Sequence, residues 1–363
     1  MRVVTFGEVM LRLCPEEFLR LRQAIPGRLE STFGGGELNV AVSLALQGQR
    51  AAFLTVLPDN ELTDCLEQEL RKLGVESDLL IRSNEGRFGI YFVETGANQR
   101  GGTVTYDRSE SSIARAPLDS YDWDTIFRDA HWLHVTGITP AISARACEAT
   151  VQAVQEAQQR GIRVSCDLNF RKKLWRWEPG TKPQQLAQRI MRQIVPHVDL
   201  VIANEEDAQL SLGIETAGTD VEAGELNRTG YIEVARKIAE AYPKVSRVAI
   251  TLRESISASH NNWGAMLYEA QSGEVVFAPE DERGNYTPYE IRNIVDRVGA
   301  GDSFAGGLLF ALLTPELSAP RTALSYAVAA SCLKHSLKGD FNYSTRSEIE
   351  ALMHGSGSGR VQR

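Results

Sequence analysis

Short apolar runs of strand length alternate with helical stretches along most of this chain, and that rhythm limits the possible folds more than any other feature. Val3–Phe6, Ala51–Leu57, His131–Val135, Ile162–Cys166, Leu200–Ala203 and Val248–Leu252 each read as a buried strand. Helical patterns follow several of them. One carries Leu38, Val42, Ala45 and Leu46 on one side; others span Glu61–Leu73, closed by Gly74, and Ser143–Arg160, and a further one starts at Glu205. Such alternation builds βαβ units, so the expected fold is α/β, with a parallel sheet covered by helices on both faces.

Two segments break the rhythm. Glu8–Phe33 and Phe88–Arg115 fit poorly as crossover helices. Phe88–Glu94 and Gly102–Asp107 read instead as a strand pair around a turn at Gly96–Gly102, and the two segments together could form a small accessory sheet. Thr251–Trp263 and Pro279–Asn293 read as polar, turn-rich loops, and Gly355–Arg363 as a mobile Gly/Ser tail.

A length of 363 residues with 43% hydrophobic content suffices for a large core. The net charge of −8 gives no basic surface for nucleic acid. No apolar run approaches the ~20 residues of a membrane span. The five cysteines, Cys14, Cys65, Cys147, Cys166 and Cys332, are scattered and never form CxxC. That favours a reducing compartment over a disulfide or zinc framework. Met1 leads directly into a strand-like run without a signal-peptide pattern, and the expectation is a cytoplasmic protein.

Chemistry concentrates in Asp296-Arg-Val-Gly-Ala-Gly-Asp302-Ser-Phe-Ala-Gly-Gly307. Gly299, Ala300 and Gly301 are small residues ahead of an apolar helical run. A turn of that kind aims free backbone N–H groups and the positive end of the helix dipole at one point, which suits a phosphate. Asp302, in the first turn, can cap the helix. It can equally take a proton from an attacking hydroxyl while the N–H groups hold a phosphoryl group. Capping is the commoner use of such a residue, and this stretch alone leaves both open. Gly34-Gly35-Gly36 before Asn39 is likewise either a plain loop or a place where backbone approaches a ligand. His131 and His134 alternate along a strand and read as structural; His335 reads as a helix-end residue near Asp340.

Taken together, Gly34-Gly35…Asn39 and Asp296…Gly-Ala-Gly-Asp302 resemble the two signatures of the PfkB (ribokinase-like) carbohydrate kinases, and the resemblance covers nearly the whole chain. It implies a doubly wound, mostly parallel sheet with helices on both faces and a small β-sheet lid. The chain would then be one kinase domain over 1–354, with lid segments at about 8–33 and 86–115. It further implies ATP and Mg²⁺ as cofactors, a monovalent cation such as K⁺ near Asp296 and Val298, and a homo-oligomer formed through the lid. Within the family the chain is most similar to the 2-keto-3-deoxygluconate kinases. Asp167-Leu-Asn169-Phe-Arg171-Lys-Lys-Leu-Trp175 resembles their DxNxR…LW element, and Tyr91, Tyr106 and Arg108 stand where those enzymes carry substrate-binding residues.

By the same resemblance, Asp340 in Gly339-Asp340-Phe-Asn342 closes on the substrate, and Gly34, Gly35, Asn39 and Asp302 bind it as well. Asn169, Arg171, Asn204, Thr251, Arg253, Gly264, Gly299 and Gly301 are expected on the ATP side. Asn204-Glu-Glu-Asp207 resembles the family's NxxE motif with Asp at its last position, and Asp207 is expected near Mg²⁺ through water. Asp302 would be the general base, with Gly299, Ala300 and Gly301 as the anion hole.

The expected reaction is phosphorylation of 2-keto-3-deoxygluconate to its 6-phosphate; fructose, ribose and 5-keto-2-deoxygluconate are the alternative substrates. A sugar acid carries a carboxylate that a guanidinium grips with paired hydrogen bonds. From the residues alone, Arg108 could be a solvated lid residue and Arg171 could pair with a surface acid such as Glu178; the resemblance favours a shared site for both. A non-catalytic sugar or nucleoside binder has no use for the intact Gly-Ala-Gly-Asp302. A dinucleotide fold would need GxGxxG after the first strand, where this chain has Gly7-Glu8-Val9.

Overall fold

The computed structural model describes residues 1–204, 206–215 and 228–355. Fourteen strands are found among them. They are β1 (Arg2–Phe6), β2 (Met10–Cys14), β3 (Glu30–Gly34), β4 (Arg50–Pro58), β5 (Leu80–Ser83), β6 (Gly89–Glu94) and β7 (Thr103–Asp107). After these come β8 (Ala130–Thr136), β9 (Arg163–Asp167), β10 (Leu200–Ala203), β11 (Arg247–Ser257), β12 (His260–Glu269), β13 (Val275–Ala278) and β14 (Tyr289–Arg292).

The large sheet runs β13-β12-β11-β10-β9-β8-β1-β4-β5, with β14 joined to β12. From β11 to β5 neighbouring strands are parallel, so all their carboxyl ends open on one edge. Alternate residues of each strand feed two different cores. Val4 and Phe6 pack with Leu133, Val135 and the helices Ala144–Gln159 and Pro183–Ile194. Val3 and Trp132 face the helices Gly36–Leu46, Ala300–Leu313 and Pro320–Lys334 on the other side. Ser143 caps the first of these helices through its hydroxyl, and Gly74 ends Glu61–Leu73 in the left-handed conformation.

The small sheet, β3-β2-β6-β7, comes from the two segments that interrupt the βαβ rhythm. Its alternation decides which side chains reach the interior. Met10, Arg12 and Cys14 on β2, Tyr91 and Val93 on β6, and Val104 and Tyr106 on β7 share the inner face. Leu11, Leu13, Ile90, Phe92 and Phe33 are half-buried on the outer one.

Several expectations need correction. Thr251–Trp263 is not a loop: β11 and β12 continue through it as a hairpin, paired from Arg247–Glu269 to Ser257–His260. The segment 279–293 contains strand β14. No α-helix follows Asn204 directly. Glu205 lies outside the described residues, Ala208–Leu212 forms a single π-turn, and the helix that leads into β11 is Arg228–Ala241. Of the expected tail, residues 356–363 also lie outside the described residues.

Candidate active site

Because parallel strands end on one edge, the residues just past β1, β8, β9, β10 and along β11 converge there, the usual place for ligands in an open α/β sheet. A cleft of about 550 Å³ occupies that edge, with the small sheet on its other side. The Asp296–Asp302 segment forms its floor. Gly299 adopts φ 83°, and a Cβ there would collide with the Asp340 carbonyl, so only glycine makes this turn into helix Ala300–Leu313. The first i→i−4 bond is Ser303 N to Gly299 O at 2.8 Å, leaving the Gly301 and Asp302 N–H groups ahead of the helical ladder. Gly301 has open space above it on the cleft side.

Asp302 projects into the same cleft and accepts a hydrogen bond from Asn39 Nδ2 at 2.6 Å. Burial pushes its carboxyl up to about 6; the Asn39 bond opposes that shift and the nearby Asp340 adds to it. Beneath it, Glu37 is fully buried and accepts hydrogen bonds from Thr136 Oγ1 (2.7 Å) and Thr139 Oγ1 (2.9 Å). Its pKa rises to about 7, chiefly through burial.

Tyr91, Tyr106 and Arg108 reach the cleft from the inner face of the small sheet. The two tyrosine rings lie 6.3 Å apart, and the Arg108 guanidinium stacks 5.4 Å from the Tyr106 ring. Arg108 is buried and ion-paired with Glu8. Arg171 lines the cleft from the loop after β9 and donates Nη1 to Phe170 O at 3.3 Å. Glu178 is not its partner, since that carboxylate accepts from Arg189 and from Thr181 Oγ1 (2.6 Å).

Elsewhere on the cleft wall Asp207 accepts from Phe170 N (2.9 Å) and Asn204 N (3.1 Å), tying the 167–171 loop to the 204–207 turn. Asp167 is buried beside Asn169 (3.3 Å), and its pKa is driven well above the carboxylate range by burial, then by Asp207 and Asp302. Thr251 and Arg253 line the cleft from β11, beside Asn261 and Trp263 of β12.

The pfkB family carbohydrate kinase model matches residues 1–345. A 2-dehydro-3-deoxygalactonokinase of Haloferax volcanii is 32% identical, covering 98% of this chain and 98% of that one. A 2-dehydro-3-deoxygluconokinase of Bacillus subtilis is 27% identical over 85% of this chain and 82% of the relative. Among solved structures, the 2-dehydro-3-deoxygluconokinase of Thermotoga maritima superposes with a TM-score of 0.87 at 42% identity, covering 98% of this chain and all of that one.

The chain belongs to the pfkB family of carbohydrate kinases.

In this pfkB kinase most residues singled out from the sequence share the one cleft: Gly35, Asn39, Tyr91, Tyr106, Arg108 and Asp340 toward the small sheet, and Asn169, Arg171, Asn204, Asp207, Thr251 and Arg253 toward the hairpin. Two do not line it. Gly34 lies just behind, where a Cβ would strike the Asp340 carboxylate and the Tyr91 hydroxyl. Gly264 is a correction to the expected ATP side. It lies on β12 paired with Leu252 of β11, and its missing side chain makes room for the Tyr286 ring.

Sequence reasoning missed Arg12, Glu8, Asn261, Trp263 and Lys173. Arg12 is buried and donates to Asp296 Oδ2 (2.5 Å) and Asp340 Oδ1 (2.6 Å). Burial opposes its charge, but Asp340 and Asp296 more than offset this and its pKa is raised. Lys173 Nζ donates to Val104 O at 2.8 Å, joining the 171–175 loop to β7. The signal for Arg12 was the period-two pattern Met10-x-Arg12-x-Cys14, which puts it on the face that carries the site. His335 caps its helix by bonding Ser331 O at 2.8 Å and also lines the cleft.

Proposed function

We propose that this pfkB kinase transfers the γ-phosphoryl group of ATP to the 6-hydroxyl of 2-keto-3-deoxygluconate. The observation that carries the reading is that Asp302, the Gly299–Gly301 turn, Arg108 and Arg171 all line one cleft. In its ionised form Asp302 takes the hydroxyl proton. The sugar oxygen then bonds to phosphorus as the bond to the β-phosphate oxygen breaks, and ADP leaves. The N–H groups of Gly301 and Asp302, at the positive end of helix Ala300–Leu313, stabilise the charge on the transferred group. Arg171 and Arg108 grip the substrate carboxylate while Tyr91 and Tyr106 cover it.

A divalent cation fits the phosphate side. Asp167, Asp207 and Asp302 crowd negative charge there, and Asp167 is driven toward its neutral form by burial and by the other two. The described residues contain no group of three acids, histidines or cysteines able to hold a metal. Both Asp207 oxygens already accept backbone N–H bonds. Asp207 would therefore reach Mg²⁺ through water, with the nucleotide supplying the direct ligands. The ion neutralises charge on the phosphate oxygens when bound.

The reading takes 1–354 as one kinase unit whose small sheet is a lid. The half-buried outer face of that lid supports a homo-oligomer; a monomeric mass in solution would remove that part. The Haloferax relative's name favours a second reading, the 4-epimer 2-keto-3-deoxygalactonate. A substrate panel read by ADP formation tests all of this. The expected outcome is kcat/KM for the two 2-keto-3-deoxy sugar acids far above that for fructose, ribose or 5-keto-2-deoxygluconate. A preference for fructose or ribose would overturn it.

A further inference from the structure

We infer that Arg12 is a positioning residue for phosphoryl transfer: its guanidinium, delivered by β2, is the fixed cation that holds Asp296 and Asp340, and through them the Gly299–Gly301 turn and Asp302, in working geometry. The inference rests on the kinase reading above.

Arg12 stands between two acids that each grip the turn differently. Asp296 Oδ2 accepts from Arg12 Nη2 at 2.5 Å and from Gly339 N at 3.1 Å, while its Oδ1 accepts from Val298 N at 3.0 Å. This carboxylate thus ties the residue just before Gly299 to the 338–342 loop. Asp340 Oδ1 takes Arg12 Nη1 at 2.6 Å, and its Oδ2 takes the Tyr91 hydroxyl at 2.6 Å and Asn39 Nδ2 at 3.5 Å. Asn39 Nδ2 in turn donates to Asp302 Oδ2 at 2.6 Å. The Asp340 carbonyl packs where a Cβ of Gly299 would be. One guanidinium therefore reaches the residue before the anion turn through Asp296, and the base through Asp340 and then Asn39.

Charge gives the reason for an arginine here. Asp296, Asp302 and Asp340 are three carboxylates around the point where a polyanionic phosphate arrives. Buried Lys334 adds a second positive group, donating Nζ to Leu337 O at 3.1 Å. An arginine can bond two carboxylates at once in a fixed fork, which neither a lysine nor a spherical ion reproduces. Asp296 is also where the family resemblance expects a monovalent cation, and in this chain its carboxylate is already bonded by the guanidinium. Because Arg12 belongs to the small sheet, the anion turn is complete only when that sheet is docked.

The test is steady-state kinetics of Arg12→Ala and Arg12→Lys with MgATP and 2-keto-3-deoxygluconate, with and without guanidinium chloride at non-denaturing concentration, against matched NaCl and KCl. A misplacement of about 1 Å costs ~10²-fold, so Arg12→Ala should lose about that in kcat while KM for ATP changes far less. Guanidinium should return a large part of the loss, NaCl and KCl should not, and Arg12→Lys should fall between. Wild-type turnover should be the same in Na⁺, K⁺ and tetramethylammonium salts. A merely structural brace would lower the melting temperature and leave kcat of the folded variant intact. Unchanged kcat, or a loss at native melting temperature that guanidinium does not touch, overturns the inference. If Arg12→Ala does not fold, Arg12→Lys decides by the same kcat criterion. A wild-type protein that phosphorylates no sugar acid breaks the kinase reading instead, so the two failures are distinguishable.

Discussion

Toward the small sheet, the acids in and just behind the cleft have partners within the protein: Glu8 has Arg108, Asp296 and Asp340 share Arg12, and Asp302 has Asn39. Glu8 Oε1 and Oε2 and Arg108 Nε make no hydrogen bond to the described residues, but they belong to that ion pair; toward the β11–β12 hairpin the unbonded groups are neutral. The buried Asn261 amide and the Trp263 indole N–H make no hydrogen bond to the described residues. The two sides meet above the cleft, where Ala258 N donates to Asn98 O at 2.7 Å and Asn98 N donates to Ser259 Oγ at 2.9 Å. Buried polar groups are normally satisfied, and those that are not are available to a ligand's polar atoms. One side is organised beforehand for charge that develops during reaction, and the other is completed by what it binds. Electrostatic stabilisation of a transition state is most effective when the dipoles need not reorganise, which fits the proposed base, Asp302, standing on the braced side.

The largest effect should come from breaking the braced side at its centre. Asp302→Asn should lower kcat by ~10²–10⁴ with the fold intact, and wild-type kcat/KM should fall below pH about 6 as the carboxylate protonates. The stability sign runs the other way. Its folded pKa is raised, so any contribution of this group is present at low pH and is lost as pH rises through about 6. The Asn variant should therefore melt no lower than wild type at pH 7.5. Turnover like wild type would exclude Asp302 as the base.

Removing the carboxylate grip should cost less. Charge-assisted hydrogen bonds are worth about 1.5–3 kcal/mol, so Arg171→Ala and Arg108→Ala should each raise KM for the sugar acid by roughly 10–100-fold and change KM for ATP little. An equal rise in both constants would break the division between the two sides. The smallest effect is expected on the hairpin side. Asn261→Ala should raise KM for ATP by a few-fold, in line with about 1 kcal/mol for a neutral hydrogen bond, and leave KM for the sugar acid alone. The reverse pattern would show that the hairpin side faces the sugar.

Much of the fold was legible because its determinants are local. Short, continuously buried apolar runs mark β1 and most of β8, as in a parallel sheet covered on both faces, and a capping serine marks the start of Ala144–Gln159. The hairpin was not legible, for a physical reason. β10 pairs with β11 only as far as Ile250, so Arg253–Ser257 runs beyond the body of the sheet with β12 alone as partner. That end of the strand is largely solvent-exposed and its composition is that of a loop. The single turn at Ala208–Leu212 broke the helix expected there. In the site, Asp302 and the glycines announced themselves because a left-handed turn at a helix start leaves a local trace. Glu8 did not, because its ion pair with Arg108 joins a loop to the residue just past a small-sheet strand and has no period.

By itself the sequence determined the βαβ rhythm, the small-residue turn with its acid in the first helical turn, and the face of β2 on which residue 12 lies. All of these follow from backbone sterics and side-chain periodicity within a few residues. Only the tertiary structure decided what that residue meets. Arg12 finds Asp296 at a separation of 284 residues and Asp340 at 328. A buried charge must be answered by whatever opposite charge shares its low-dielectric pocket, and packing, not chain order, brings that partner there.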